Sequence, residues 1–101
     1  MKLIEINIDH IIELCRRYRV LSLAVFGSIL TDRFNENSDV DLLVDFDTTD
    51  HEQWDYVGNY FGFRDALEVL LGRKVDLIER RGIRNPLFLK LVEGKKRIIY
   101  G

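Results

Sequence analysis

Asp39 and Asp41 stand two positions apart in the run Ser38-Asp39-Val40-Asp41-Leu42-Leu43-Val44, and ten residues separate Asp39 from the pair Gly27-Ser28. Along an extended strand successive side chains alternate faces, so residues two apart project from the same side. Two carboxylates one pleat apart repel each other, and the arrangement becomes favourable when divalent cations sit between them. Mg²⁺ takes oxygen ligands and is commonly held by one or two carboxylates together with substrate phosphates. The Gly27-Ser28 pair supplies a complementary half. Glycine lets the backbone approach a ligand closely, and a serine there can start a short helical turn whose free N–H groups and hydroxyl attract phosphate. A third acid, Asp76, lies in Lys74-Val75-Asp76-Leu77-Ile78, where Val75 and Leu77 face the other way. A phosphate cradle and an acidic metal clamp on adjacent strands are what nucleotidyl transfer needs.

The elements that must position these residues are short. Ile8, Ile11, Ile12 and Leu14 recur at helical spacing, with Asn7 or Asp9 as N-cap and an end near Tyr18–Arg19. Val20 to Phe26 is an apolar run closed by Gly27 and reads as a buried strand. Thr31 to Ser38 is polar and reads as a loop, with Ser38 a turn residue. Asp39 to Phe46 reads as a second strand with Val40, Leu42 and Val44 on one face. Trp54 to Leu71 carries apolar positions at helical spacing, and Gly72 sits where a glycine cap belongs. Lys74 to Glu79 is a third strand, Pro86 opens a helix through about Glu93, and Arg97 to Tyr100 is a final edge strand or tail. Strands alternating with helices indicate an α/β (α+β) fold, a small mixed sheet with helices packed mainly on one face.

Other residues carry less. Asp45 and Asp47 read as exposed acids at the end of the second strand. Arg73 and Lys74 read as surface cations. His10 and His51 have no metal-ligand spacing to each other or to Cys15, so zinc is not expected and Cys15 reads as inert. The aromatics of the long helix cannot all share one stripe, which leaves Trp54, Tyr56 and Phe63 as candidates for a partner surface. Neither a Gly-Lys-Ser/Thr after a glycine loop nor a G-x-G-x-x-G is present.

Gly27-Ser28, the acidic strand and the later Val75-Asp76-Leu77 together resemble the minimal nucleotidyltransferase family of the polymerase-beta-like nucleotidyltransferase superfamily. The resemblance covers nearly the whole chain, including the first helix, Leu71-Gly72-Arg73-Lys74-Val75-Asp76 and the ending Ile98-Ile99-Tyr100-Gly101. It implies the nucleotidyltransferase fold, with residues 1–101 as one minimal domain. It implies an enzyme that uses two Mg²⁺ ions and ATP. Asp39 and Asp41 would bridge both ions, and Asp76 would complete the catalytic metal near the attacking hydroxyl. Ser28 and the Gly27–Ser28 backbone would hold the outer phosphates. The family often has a small-Arg-Gly-x-Ala stretch after the Gly-Ser pair. Here it reads Leu30-Thr31-Asp32-Arg33-Phe34, so the candidate phosphate-binding arginine, Arg33, is displaced. Small members of the family are typically antitoxins paired with a HEPN-domain toxin. By that analogy AMP would pass to a tyrosine hydroxyl of the toxin, in a type VII toxin–antitoxin pair. The alternative is a catalytically weak binding module that neutralises its partner by contact.

Composition bounds the setting. With 47% hydrophobic and 32% charged residues the chain is globular rather than disordered. Fifteen Lys and Arg against seventeen Asp and Glu give a net charge of −2, which argues against stable nucleic-acid binding. One cysteine excludes an internal disulfide, and the apolar runs are too short for a membrane span. Met1-Lys2-Leu3-Ile4-Glu5 places an acid where a signal peptide would stay apolar. The expectation is a soluble cytoplasmic protein that finds its acceptor on a partner or on a second subunit.

Overall fold

The computed structural model describes residues 1–49 and 55–101; His51 and Trp54 lie outside the described residues. The chain runs α1 (Lys2–Ile6), α2 (Ile8–Arg17), β1 (Val20–Phe26), a 3₁₀ turn (Gly27–Leu30), β2 (Val40–Phe46) and α3 (Tyr56–Leu71). It continues through β3 (Val75–Glu79), a second 3₁₀ turn (Arg80–Gly82), α4 (Pro86–Lys95) and β4 (Arg97–Tyr100). The strands form one mixed sheet in the order β3-β2-β1-β4. β1 is antiparallel to both of its neighbours, while β2 and β3 run parallel and are joined through α3. No helix among the described residues is long and apolar enough to cross a membrane.

The pleat decides what each strand buries. Val40, Leu42, Val44 and Phe46 alternate onto the face covered by α2 and α3, where they join Val25, Ile11, Cys15, Phe63 and Leu67 in the main core. Asp41, Leu43 and Asp45 therefore turn to the opposite face. There a smaller cluster of Ala24, Leu43 and Val92 is covered by α4. Helices lie mainly on one face, and the thinly covered face is the one that carries the acids. Cys15 is fully buried, and that burial pushes its thiol up to about 12, which keeps it protonated and unreactive.

Four expectations shift. A helix that the spacing does not announce, α1, precedes α2; Asn7 stands at the N-cap position of α2 as expected, but its side-chain amide donates to the Leu3 carbonyl at 2.8 Å and makes no cap hydrogen bond. The fourth helix runs through Gly94 to Lys95 rather than stopping near Glu93. Asp45 is no free acid: the Arg81 guanidinium lies 3.1 Å from it and also reaches the Thr48 hydroxyl at 2.7 Å. Phe63 is not a surface residue but 0% exposed, packed against Tyr18 and Phe46. The buried stripe of α3 is Phe63, Leu67 and Leu71, each four apart, so Val57 and Phe61 point outward instead. Tyr56 is 37% exposed, with its ring edge on Phe46.

Caps fix one helix on each face of the sheet. Asp55 accepts from the Gly58 amide at 3.0 Å to open α3, and Gly72 closes it in the left-handed conformation at φ 65°. Asn85 accepts from the amides of Leu87 and Phe88 at 2.9 and 3.2 Å, and Pro86 occupies the first turn of α4.

Candidate active site

The three aspartates meet where β1 ends and β2 and β3 begin. Asp41 pairs with Asp76 across the parallel β2–β3 ladder, so the two carboxylates leave the sheet side by side on one face. Asp39 stands one residue before β2, and the Val40 amide donates to the Lys74 carbonyl at 2.9 Å, tying the starts of the two strands together. The acids feel one another. Partial burial raises the carboxyl of Asp41 above its ordinary value, and the negative charges of Asp76 and Asp39 raise it further. Strand pairing thus sets Asp41 beside Asp76, and the charge of Asp39 is near enough to act on Asp41.

Gly27 forms the wall beside Asp41. It lies across β1 from the start of β2, has φ 78°, and a Cβ built on it would meet Asp41 Oδ2 far inside contact distance. Only glycine gives both the backbone conformation and the room. Ser28 follows in the 3₁₀ turn, half-buried, with its carbonyl accepting from the Thr31 amide and hydroxyl at 2.9 and 2.8 Å. The turn therefore presents the Gly27 backbone next to the Asp41 carboxylate.

Arg33 does not join them. It is exposed in the loop, and its side chain makes no hydrogen bond or ion pair with the described residues. Arg73 has a different task from the one its charge suggests. Its guanidinium donates to the carbonyls of Asn35 and Ser38 at 2.7 and 3.2 Å and stacks over Phe34 at 4.7 Å. That clamp holds the loop whose end is Asp39. Two cations that no local pattern singles out sit where a polyanion would need them. Lys95, at the end of α4, and Arg97, at the start of β4, line a cavity of about 440 Å³ with Gly27, Leu30 and Thr31. Among the described residues no side-chain hydrogen bond or ion pair holds either cation.

Carboxylate oxygens suit a hard divalent cation, and the glycine wall leaves space beside Asp41. Among the described residues no group of three or more acidic, His or Cys side chains stands placed to hold a metal ion.

Comparisons with known proteins give the family and the fold. The Nucleotidyltransferase domain family model matches residues 9–99. A Methanocaldococcus jannaschii protein provisionally named as a protein adenylyltransferase is 42% identical over 77 residues, 76% of this chain and 74% of its own. A solved structure described as a provisional minimal nucleotidyltransferase superposes with a TM-score of 0.76 at 29% identity, over 95% of this chain and 92% of its own. A chain from the complex of tri-AMPylated Shewanella oneidensis HEPN toxin with MNT antitoxin shares the fold, with a TM-score of 0.65 at 20% identity over 96% of this chain and 71% of its own.

Proposed function

Because the chain belongs to the Nucleotidyltransferase domain family, we propose that it moves AMP from ATP to a tyrosine hydroxyl of a partner HEPN-domain toxin and so acts as the antitoxin of the pair. The observation that carries this reading is Asp41 standing beside Gly27 and paired with Asp76 across β2 and β3, with its proton affinity raised by burial and then by Asp76 and Asp39.

In this reading Asp39, Asp41 and Asp76 would hold two Mg²⁺ ions. When bound, such ions stabilise charge on the attacking and leaving oxygens of an in-line displacement. The Gly27–Ser28 backbone and the Ser28 hydroxyl hold the outer phosphates. Lys95 and Arg97 take the role that the displaced Arg33 leaves open and neutralise the departing pyrophosphate. Asp76 accepts the proton of the attacking hydroxyl. A bond forms between that oxygen and the α-phosphorus, the bond from the α-phosphorus to the bridging oxygen breaks, and pyrophosphate leaves. No side chain of the protein becomes covalently modified, so the rate gain comes from positioning and charge.

The test uses ATP labelled at the α- or the γ-phosphate, Mg²⁺ and a HEPN-domain partner protein. Label is expected on a partner tyrosine from the α-position only, and chelation of Mg²⁺ should abolish it. Absence of label, or equal labelling by Asp41→Ala, contradicts the proposal. Neutralisation of the toxin without any label would establish the contact module instead.

A further inference from the structure

The face that carries Asp41 also carries a groove whose aromatic and aliphatic lining has no part in the transfer chemistry. Phe26 is the cross-strand partner of Asp41. From Phe26 and Gly27 a cavity of about 290 Å³ extends to Phe88, Leu91, Val92 and Lys95 of α4, and apart from the lysine its lining is almost wholly apolar. We propose that this groove seats the base of the nucleotide and that it grips the ring by stacking without reading its edge. The inference rests on the phosphates lying at the Gly27 turn, as argued above.

Three observations lead to a flat heterocycle. First, Gly27 and Lys95 line both this groove and the cavity assigned to the polyphosphate, so one ligand can occupy both. Second, Phe26 and Phe88 stand edge to face at 6.4 Å and 79°, and Phe88 remains 38% exposed, which leaves aromatic surface for another ring. The Asn85 cap fixes the turn of α4 that carries Phe88, so that surface is rigid. Third, the groove begins at the residue paired with Asp41, on the same face, and a nucleoside attached to the α-phosphate at Asp41 needs a site at that distance. An apolar lining offers no partners for the exocyclic groups that distinguish adenine from guanine. Stacking is tolerant of base identity because every base has a π-face. Discrimination among purines is therefore weak, and the base contributes affinity through contact area.

Calorimetric titration of the full chain, in Mg²⁺, with ATP, GTP and inorganic tripolyphosphate tests this directly. Phe88→Ala and Phe88→Leu are expected to weaken ATP about ten-fold, within the range that aromatic–base stacking spans, and to leave tripolyphosphate affinity unchanged. ATP and GTP should differ by no more than about three-fold, consistent with sequence-tolerant stacking. Lys95→Ala should weaken ATP and tripolyphosphate alike. The groove assignment is overturned if Phe88→Ala binds ATP as the unaltered protein does, and also if that variant loses only transfer to the partner protein, which would make the groove an acceptor dock. An unaltered protein that binds tripolyphosphate as tightly as ATP overturns the groove and spares the phosphate site. One that binds neither overturns both.

Discussion

Replacing Asp41 with asparagine is expected to cut AMP transfer by about 10³-fold, the scale seen when one preorganised charge-stabilising group is removed, while raising the melting temperature of the Mg²⁺-free protein by a few degrees. The two effects share one cause. Asp41 is partly buried on the face it shares with Asp76 and is pushed toward its neutral form by desolvation, then by Asp76 and Asp39. A carboxyl whose proton affinity is higher folded than unfolded destabilises the fold as it ionises. Stability from this group is greatest below the ordinary aspartate value, falls as pH rises through the raised folded value, and stays lower at neutral pH. Asparagine removes the ionisation, so the variant should be more stable at pH 7 and should lose less stability between acid and neutral pH. Function kept at the expense of stability is the common trade at active sites. Thermal melts across pH 3–8, paired with the label-transfer assay, check both halves. An asparagine variant less stable than the parent at pH 7 would show that the carboxylates do not strain one another.

Gly27→Ala should be the most damaging change outside the acids. A non-glycine residue held in the left-handed region costs about 1–3 kcal/mol, and the new Cβ would also collide with Asp41 Oδ2. Displacing that carboxylate by as little as about 1 Å is expected to reduce transfer about 10²-fold. Gly72 provides the control. It is also left-handed, at φ 65°, but beyond its chain neighbours nothing lies within 4 Å of a Cβ built there. Gly72→Ala should therefore lose comparable stability and keep its transfer rate at a temperature where both variants are folded. Equal loss of activity in the two would mean that Gly27 matters only for the fold.

Residues differ sharply in how much of their role is legible in the sequence. β1 stands out as an apolar run ended by Gly27, and the alternation of Asp39 and Asp41 with Val40, Leu42 and Val44 declares which face each takes. Gly72 and Pro86 mark helix boundaries through chemistry that is local to them. The convergence of Asp76 on Asp41 is not local. It depends on the parallel register between strands separated by α3, and spacing along the chain does not encode register. The gathering of Lys95 and Arg97 at Gly27 is hidden for the same reason, because β4 pairs with β1 from the far end of the sequence. Phe63 is hard to phase. α3 is apolar around most of its circumference, so several stripes compete, and only the four-residue step back from Leu67 selects the buried one over the surface expected for Phe63. Arg73 reads as an ordinary cation because carbonyls and a phenylalanine ring, not acids, are its partners.

Every step proposed for this chain requires the three carboxylates to act as one cation site. The most direct measurement follows the side-chain carboxyl carbon of Asp41 by NMR as pH is varied, in the parent and in Asp76→Asn, with and without Mg²⁺. In the parent without metal it should titrate above an ordinary aspartate. Asp76→Asn should bring it down by removing a neighbouring negative charge, and Mg²⁺ should bring it down in the parent while shifting the Asp39 and Asp76 signals together with it. An Asp41 signal that titrates like a solvated aspartate and ignores both Asp76 and Mg²⁺ would contradict a shared cation site outright.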